Sequence, residues 1–402
     1  MRKKIIATGM ALLAAVTLAA CGKSPDVTSN AQGTKIGDTI KIGVDMELTG
    51  PVSAYGSAEN KGIKLAVEEI NKAGGVDGKK LELVTKDNKS DNAESSTAAT
   101  NLAVQNQVNA IIGPATSGAV SAASLNAQKT GVPLLSPSGT QDDLTVDSTS
   151  GKEKAKRFVF RTTFRDSFQG QVLAQYAQEN MQAKKVVLFY DNSSDYAKGI
   201  ADQFKKSYKG QIVSTQTFVA NDTDFQSALT AIKDKDYDLI VMPGYYTETG
   251  LITKQARDIG IDKPILGPDG FSDKTFIDLA GEKDASNVYY VSGYSTKTDL
   301  SAKARDFIKT YQKKYGGQPN QFSALSYDSV YMIAAAAKGA HNSIELADNL
   351  AKLKNFVGVT GTMTIDNLHN PIKSAVMVKL DNGVETSADT VTIKKYQRSF
   401  RP

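Results

Sequence analysis

Short apolar runs alternating with amphipathic stretches constrain this chain more than any other feature. Ile40-Lys41-Ile42-Gly43-Val44 is a strand pattern. Residues 58–73 follow it, with Ile63, Ala66, Val67 and Ile70 at helical spacing, and Gly74-Gly75 stops that helix. Leu81-Glu82-Leu83-Val84 predicts a second strand with a helix over 93–107. Residues 109–113 predict a third strand with a helix over 118–129, and 132–135 a fourth. The alternation then restarts. Strands are expected at 185–190, 212–218, 239–242 and 265–267, with helices over 197–208, 225–232 and 250–259. Elements of these lengths in alternation imply βαβ units and a parallel sheet, and two such runs imply two similar α/β halves. Later segments must complete one half or the other: a strand at 288–291, helices near 303–315, 323–339 and 344–352, and strands at 358–364, 374–380 and 390–396.

The first residues address the chain. Arg2, Lys3 and Lys4 precede an uncharged apolar run, 5–20, that is short for a membrane span and has the pattern of a secretory signal. It ends in Leu18-Ala19-Ala20-Cys21. This resembles the lipobox of bacterial lipoproteins, in which the signal is removed and the cysteine takes a diacylglycerol. Residues 1–20 are therefore expected to be a signal peptide. Residues 21–38, rich in Ser, Gly, Asn, Thr and Lys, should form a lipidated flexible tether of about sixteen residues. Cys21 is the only cysteine, so no internal disulfide can form. Two acyl chains anchor firmly, which places the protein on the extracytoplasmic face of the cell membrane without spanning it.

Composition excludes several classes of function. The net charge of +5 includes three from Arg2, Lys3 and Lys4, and the remaining charges are interspersed, so nothing points to nucleic acid. The two histidines, His341 and His369, fall at a helix end and in a turn, where surface positions are expected. There is no H-E-x-x-H, G-x-S-x-G, G-x-G-x-x-G or P-loop, so no enzyme, metal or cofactor is expected. More than 350 residues remain for two domains. In open α/β sheets ligands sit beyond the carboxyl ends of the strands, and two facing lobes make a cleft that can close on a small molecule.

The stretch Glu47-Leu48-Thr49-Gly50-Pro51-Val52-Ser53-Ala54-Tyr55-Gly56 resembles the first loop of the branched-chain amino acid binding proteins of ABC importers. The similarity continues through Glu69-Ile70-Asn71-Lys72-Ala73-Gly74-Gly75-Val76, Ile111-Ile112-Gly113-Pro114, Leu135-Ser136-Pro137-Ser138-Gly139-Thr140, Phe160-Arg161-Thr162-Thr163, Pro243-Gly244-Tyr245 and Gly267-Pro268-Asp269-Gly270. The resemblance implies a type I periplasmic-binding-protein fold, two doubly wound parallel-sheet lobes joined by a three-strand hinge. The crossings are expected near Arg161, Ser292 and Thr362. The N-terminal lobe would span 39–160 and 293–361, and the C-terminal lobe 161–292 and 362–402.

The resemblance also implies a binding site. Ser117, near a helix start, would meet the ligand carboxylate, as helix starts favour anions. Ser138 would offer its carbonyl to the ammonium, and Thr140 its hydroxyl and N–H to the carboxylate. Asp269 would face the ammonium, although the family commonly has Glu there. Tyr196 and Tyr245 would form the second wall, and Tyr55 and Phe322 would bound the ligand side chain. Where some relatives have a disulfide, this chain has Ser90 and Thr116. The expected protein is a monomer without cofactor that captures leucine, isoleucine or valine and hands it to a membrane permease complex. The alternatives are another small neutral amino acid or an amide as ligand, or a sensor without transport.

Overall fold

The computed structural model describes residues 31–148 and 151–391. The expected signal peptide, Cys21 and most of the tether lie outside the described residues. Most of the apolar runs become strands of two sheets. The first sheet is wholly parallel, in the order Lys80–Asp87, Thr39–Met46, Ala110–Ile112, Leu134–Ser136, Val159–Arg161. The second runs Val384–Val391, Ala375–Asp381, Val288–Ser292, Ile265–Gly267, Leu239–Val241, Lys185–Asp191, Gln211–Phe218, and only its first two strands run antiparallel to their neighbours. Inner strands such as Ala110–Ile112 and Leu239–Val241 are buried throughout, because helices cover both faces of a parallel sheet. Two lobes of the type I periplasmic-binding-protein kind result.

The late elements divide between the lobes. Helix Gln321–Ala337 lies along helix Ser53–Lys72 and completes the first lobe. Their approach depends on Gly62, where an added Cβ would stand 2.1 Å from the Ser323 carbonyl oxygen. Helix Ser53–Lys72 also starts five residues before the expected position. Its first turn abuts the end of the first strand, and a Cβ on Gly56 would meet Glu47 O at 2.3 Å.

Several expectations need correction. Residues 358–364 are not one strand. Asp328 accepts hydrogen bonds from Val359 N, Thr360 N and Thr360 Oγ1 at 2.8, 2.9 and 2.7 Å. That fixes a turn between Phe356–Gly358 and Gly361–Ile365. Gly361–Ile365 pairs only within a small three-stranded sheet, and the chain joins the second large sheet at Ala375. The third crossing therefore falls at 373–374, not near Thr362. The last described strand is Val384–Val391, earlier than expected, because it folds back on Ala375–Asp381. A helix not expected from the pattern, Asp166–Gln175, continues into a π turn over Tyr176–Asn180. His369 is buried rather than exposed, stacked on Phe160 at 4.1 Å with Nδ1 3.1 Å from Val159 O. His341 is exposed.

Residues 34–36, expected to belong to the tether, instead pack against the first lobe. Thr34 N donates to Ser343 Oγ at 2.8 Å, Ile36 N donates to His341 O at 2.9 Å, and Ile36 is buried. No helix of the described residues is long and apolar enough to cross a membrane.

Candidate functional site

The strand ends of the two sheets face one another. All eight residues singled out from the sequence (Tyr55, Ser117, Ser138, Thr140, Tyr196, Tyr245, Asp269 and Phe322) line one narrow cavity between the lobes, together with Ala115, Thr116 and Gly270.

The first-lobe side is built from two loops after parallel strands. In the loop after Ala110–Ile112, Gly113 has a positive φ of 100° and comes so close to the first strand that a Cβ would lie 2.0 Å from Asp45 O. Only glycine fits there. Glu47 then holds the loop, accepting from Ala115 N, Thr116 N and Thr116 Oγ1 at 3.0, 3.0 and 2.7 Å. Ser90 Oγ donates to Thr49 O at 2.7 Å. Hydrogen bonds thus secure the positions where relatives are expected to carry a disulfide.

Ser117 begins helix Ser117–Thr130. Its Oγ accepts from Thr140 N and Gln141 N, both at 3.2 Å, joining the two loops. The hydroxyl proton has no acceptor among the described residues and is available to an anion. The Thr140 N–H, expected to meet a ligand, is instead directed to Ser117 Oγ, so a carboxylate there must share it. The Ser138 hydroxyl lies 2.9 Å from Ala115 O and 2.5 Å from Glu59 Oε1. Its side chain is committed to the wall, which leaves its carbonyl as the group to offer a ligand.

The second-lobe side is aromatic and acidic. Tyr196 and Tyr245 stack with centroids 4.9 Å apart at 8°. Tyr196 OH donates to Asp269 Oδ1 at 2.7 Å and accepts from Gly270 N at 3.1 Å. The Asp269 backbone is clamped on both sides, its N–H donating to Gln169 Oε1 at 3.0 Å and its carbonyl accepting from Gln321 Nε2 at 2.9 Å. Burial pushes the Asp269 carboxyl up to about 6, against the lowering effect of the Tyr196 hydrogen bond. No Lys or Arg pairs with it among the described residues. A buried carboxylate without a cation is costly, and an ammonium in the cavity would satisfy it. Tyr55 and Phe322 pack at 4.5 Å and complete the apolar side.

The lobes are closed on each other. Tyr55 OH donates to Gly270 O at 2.6 Å and accepts from Tyr246 N at 3.2 Å. Tyr246 OH in turn donates to Pro51 O at 3.0 Å and accepts from Ala54 N at 3.1 Å. Sequence reasoning missed Tyr246, hidden beside Tyr245. It also missed Glu59, although that residue stands on the apolar stripe of its helix with Ile63, Ala66 and Ile70, where a carboxylate is out of place. Tyr246→Phe keeps the ring and removes both bonds to the first lobe. These bonds exist only in the closed form, so ligand affinity should fall about 5- to 30-fold, for about 1–2 kcal/mol. Calorimetry against the wild type checks this, and an unchanged affinity would show that Tyr246 does not hold the closed state.

Among the described residues no group of His, Cys, Asp or Glu is placed to hold a metal ion. A family profile described as periplasmic binding protein matches residues 39–385. The chain is 55% identical to the branched-chain amino acid transporter substrate binding protein LivJ of Streptococcus pneumoniae, solved in complex with isoleucine, with a TM-score of 0.85 over 88% of this chain and 99% of that one. It is 31% identical to the leucine binding protein LivK of Thermotoga maritima, with a TM-score of 0.80 over 88% and 98% of the two chains. It is 32% identical to the Leu/Ile/Val-binding protein homolog 3 of Brucella melitensis over 81% of this chain and 86% of that protein. With its cleft built from the strand ends of two such lobes, this chain belongs to the periplasmic binding protein family.

Proposed function

We propose that this protein is an extracytoplasmic receptor that captures leucine, isoleucine or valine by closing its cleft and delivers it to an ABC importer. The single observation that carries the reading is the polarity of the cavity. A free hydroxyl proton on Ser117 at a helix start suits a carboxylate. Across from it, the buried, cation-free Asp269 suits an ammonium. The Tyr55, Phe322, Tyr196 and Tyr245 rings leave an apolar space for an uncharged side chain. Similarity to LivJ, LivK and the Brucella protein supports the same substrate class. In this reading the chain catalyses nothing, and work comes from the importer's ATPase. It acts as a monomer, held by lipid on Cys21 through a tether that ends where Thr34 meets the first lobe. The hinge consists of three passages, near Arg161, near Ser292 and at 373–374.

Calorimetry of residues 22–402 against the twenty amino acids tests the reading. Leucine, isoleucine and valine should bind one to one, while aspartate and lysine should not. Failure of all three branched acids would overturn the substrate class.

A further inference from the structure

Glu59 stands where an acidic residue has no evident reason to be. It is fully buried on helix Ser53–Lys72, and no ion pair reaches it among the described residues. Its Oε2 has no hydrogen-bond partner there. Its Oε1 is 2.5 Å from Ser138 Oγ, which is itself 2.9 Å from Ala115 O.

The hydrogens between these three groups can be counted. A serine hydroxyl carries one proton, and a carbonyl can only accept. The Ser138 proton therefore goes to Ala115 O. The contact between Ser138 Oγ and Glu59 Oε1 then needs a proton from Glu59. If Glu59 were ionised, two acceptors would compete for one hydrogen, and a buried anion would have no cation. The groups facing Glu59 agree. The helix Gln321–Ala337 presents Ser326, whose Oγ donates to the Glu59 carbonyl. The loop 113–117 presents Ala115, and the loop after Leu134–Ser136 presents Ser138. Burial raises its proton affinity most, against the lowering effect of the Ser138 contact, and Glu47, the one titratable group with an electrostatic effect on it, raises it further.

We propose that Glu59 is kept as a neutral carboxylic acid and acts as a positioning residue, donating to Ser138 so that the Glu59–Ser138–Ala115 chain locks the two first-lobe loops of the site together. Ser138 and Ala115 both line the cavity, so the lock fixes the carbonyl of Ser138 that the proposed function assigns to the ammonium. The inference rests on that reading only for its consequence in binding. The protonation of Glu59 stands on the hydrogen count alone.

The experiment compares the wild type with Glu59→Gln and Glu59→Leu. Unfolded Glu59 loses its proton near 4.5, and the folded residue keeps it well above that. Above 4.5 the unfolded state thus binds fewer protons than the folded one, and wild-type stability declines with pH. Glutamine, which donates without titrating, escapes that decline. The thermal midpoint of Glu59→Gln should gain on the wild type by about 5 °C or more between pH 5 and pH 8. A constant or shrinking gap would overturn the proposal. Infrared difference spectra at pH 8 should show a protonated-carboxyl band in the wild type that Glu59→Gln lacks, and identical spectra would overturn it equally. In leucine titrations Glu59→Gln should stay within about threefold of the wild type and Glu59→Leu should lose at least about tenfold. Equal losses in both variants would remove the positioning role. A wild type that binds no branched amino acid would defeat the substrate assignment, while the thermal and infrared results would still decide the state of Glu59.

Discussion

Asp269→Asn should reduce leucine affinity by about 100-fold or more at pH 7.5 while leaving the protein folded. Truncating or neutralising one member of a buried hydrogen-bonded charge pair typically costs about 2–5 kcal/mol, and each 1.4 kcal/mol is about tenfold in affinity. Asn keeps the volume and can still accept from Tyr196 OH, so the loss isolates the charge. The Asp269 backbone is held by Gln169 and Gln321 whatever its side chain, which is why the fold should survive. The pH dependence gives a second, independent signature. Burial sets the carboxyl at about 6 with no cation beside it, and an ammonium partner favours its ionised form. As pH falls through 6, protons compete with the ligand, and wild-type affinity should drop by up to about tenfold per unit below that point. The Asn variant should show no such drop. Calorimetry at pH 5, 6 and 7.5 measures both effects. A wild-type affinity that stays flat over this range, or an Asn variant that binds normally, would remove Asp269 from contact with the amine.

Asp269 also illustrates what the sequence could and could not reveal. The strands were legible because a parallel sheet buries both faces, so each inner strand is a short apolar run bounded by polar loops. The cavity residues were legible through resemblance, since each sits in a loop motif that directly follows a strand. What the sequence concealed was mutual arrangement. Nothing in Pro243-Gly244-Tyr245-Tyr246 says that the first tyrosine stacks on Tyr196 while the second crosses to Pro51. The turn at Val359-Thr360 depends on Asp328, some thirty residues away, so the stretch reads locally as one strand. His369 looks like a surface turn residue until Phe160, from the edge strand of the first lobe's sheet, is placed beneath it. Glu59 is the opposite case. Its place on the apolar stripe of the first helix could be read from the period, yet it was passed over.

Arg161→Met should be the most destabilising substitution in the hinge region. Arg161 lies on the last strand of the first sheet and has no exposed surface. Its Nη1 donates to Gly139 O at 3.2 Å, and its Nη2 to Gln141 O and Asp142 O at 2.8 and 3.3 Å. These carbonyls belong to the loop that carries Thr140, so one guanidinium holds a wall of the cavity from behind. Burial lowers its proton affinity to about 10, but it remains charged at neutral pH, supported chiefly by Asp142 and Asp166. Methionine keeps an unbranched, shorter stem and removes every donor. Three loop carbonyls then lose their partner, and the fully buried Asp166, whose proton affinity burial already raises, loses the one nearby cation that opposes that rise. Breaking a buried charge interaction from one side costs about 3–5 kcal/mol. Lysine is a poor substitute, because a single ammonium on a flexible stem cannot reproduce a planar fork that spans three acceptors. Urea denaturation should therefore rank wild type above Arg161→Lys, and Arg161→Lys above Arg161→Met. Leucine affinity should fall in the same order, since the freed loop must be ordered again each time the cleft closes. A variant that lost stability but bound normally would show that Arg161 supports the lobe without shaping the site. Matching losses in both measurements would place the origin of the binding geometry at the first passage between the lobes, on a residue that never touches the ligand.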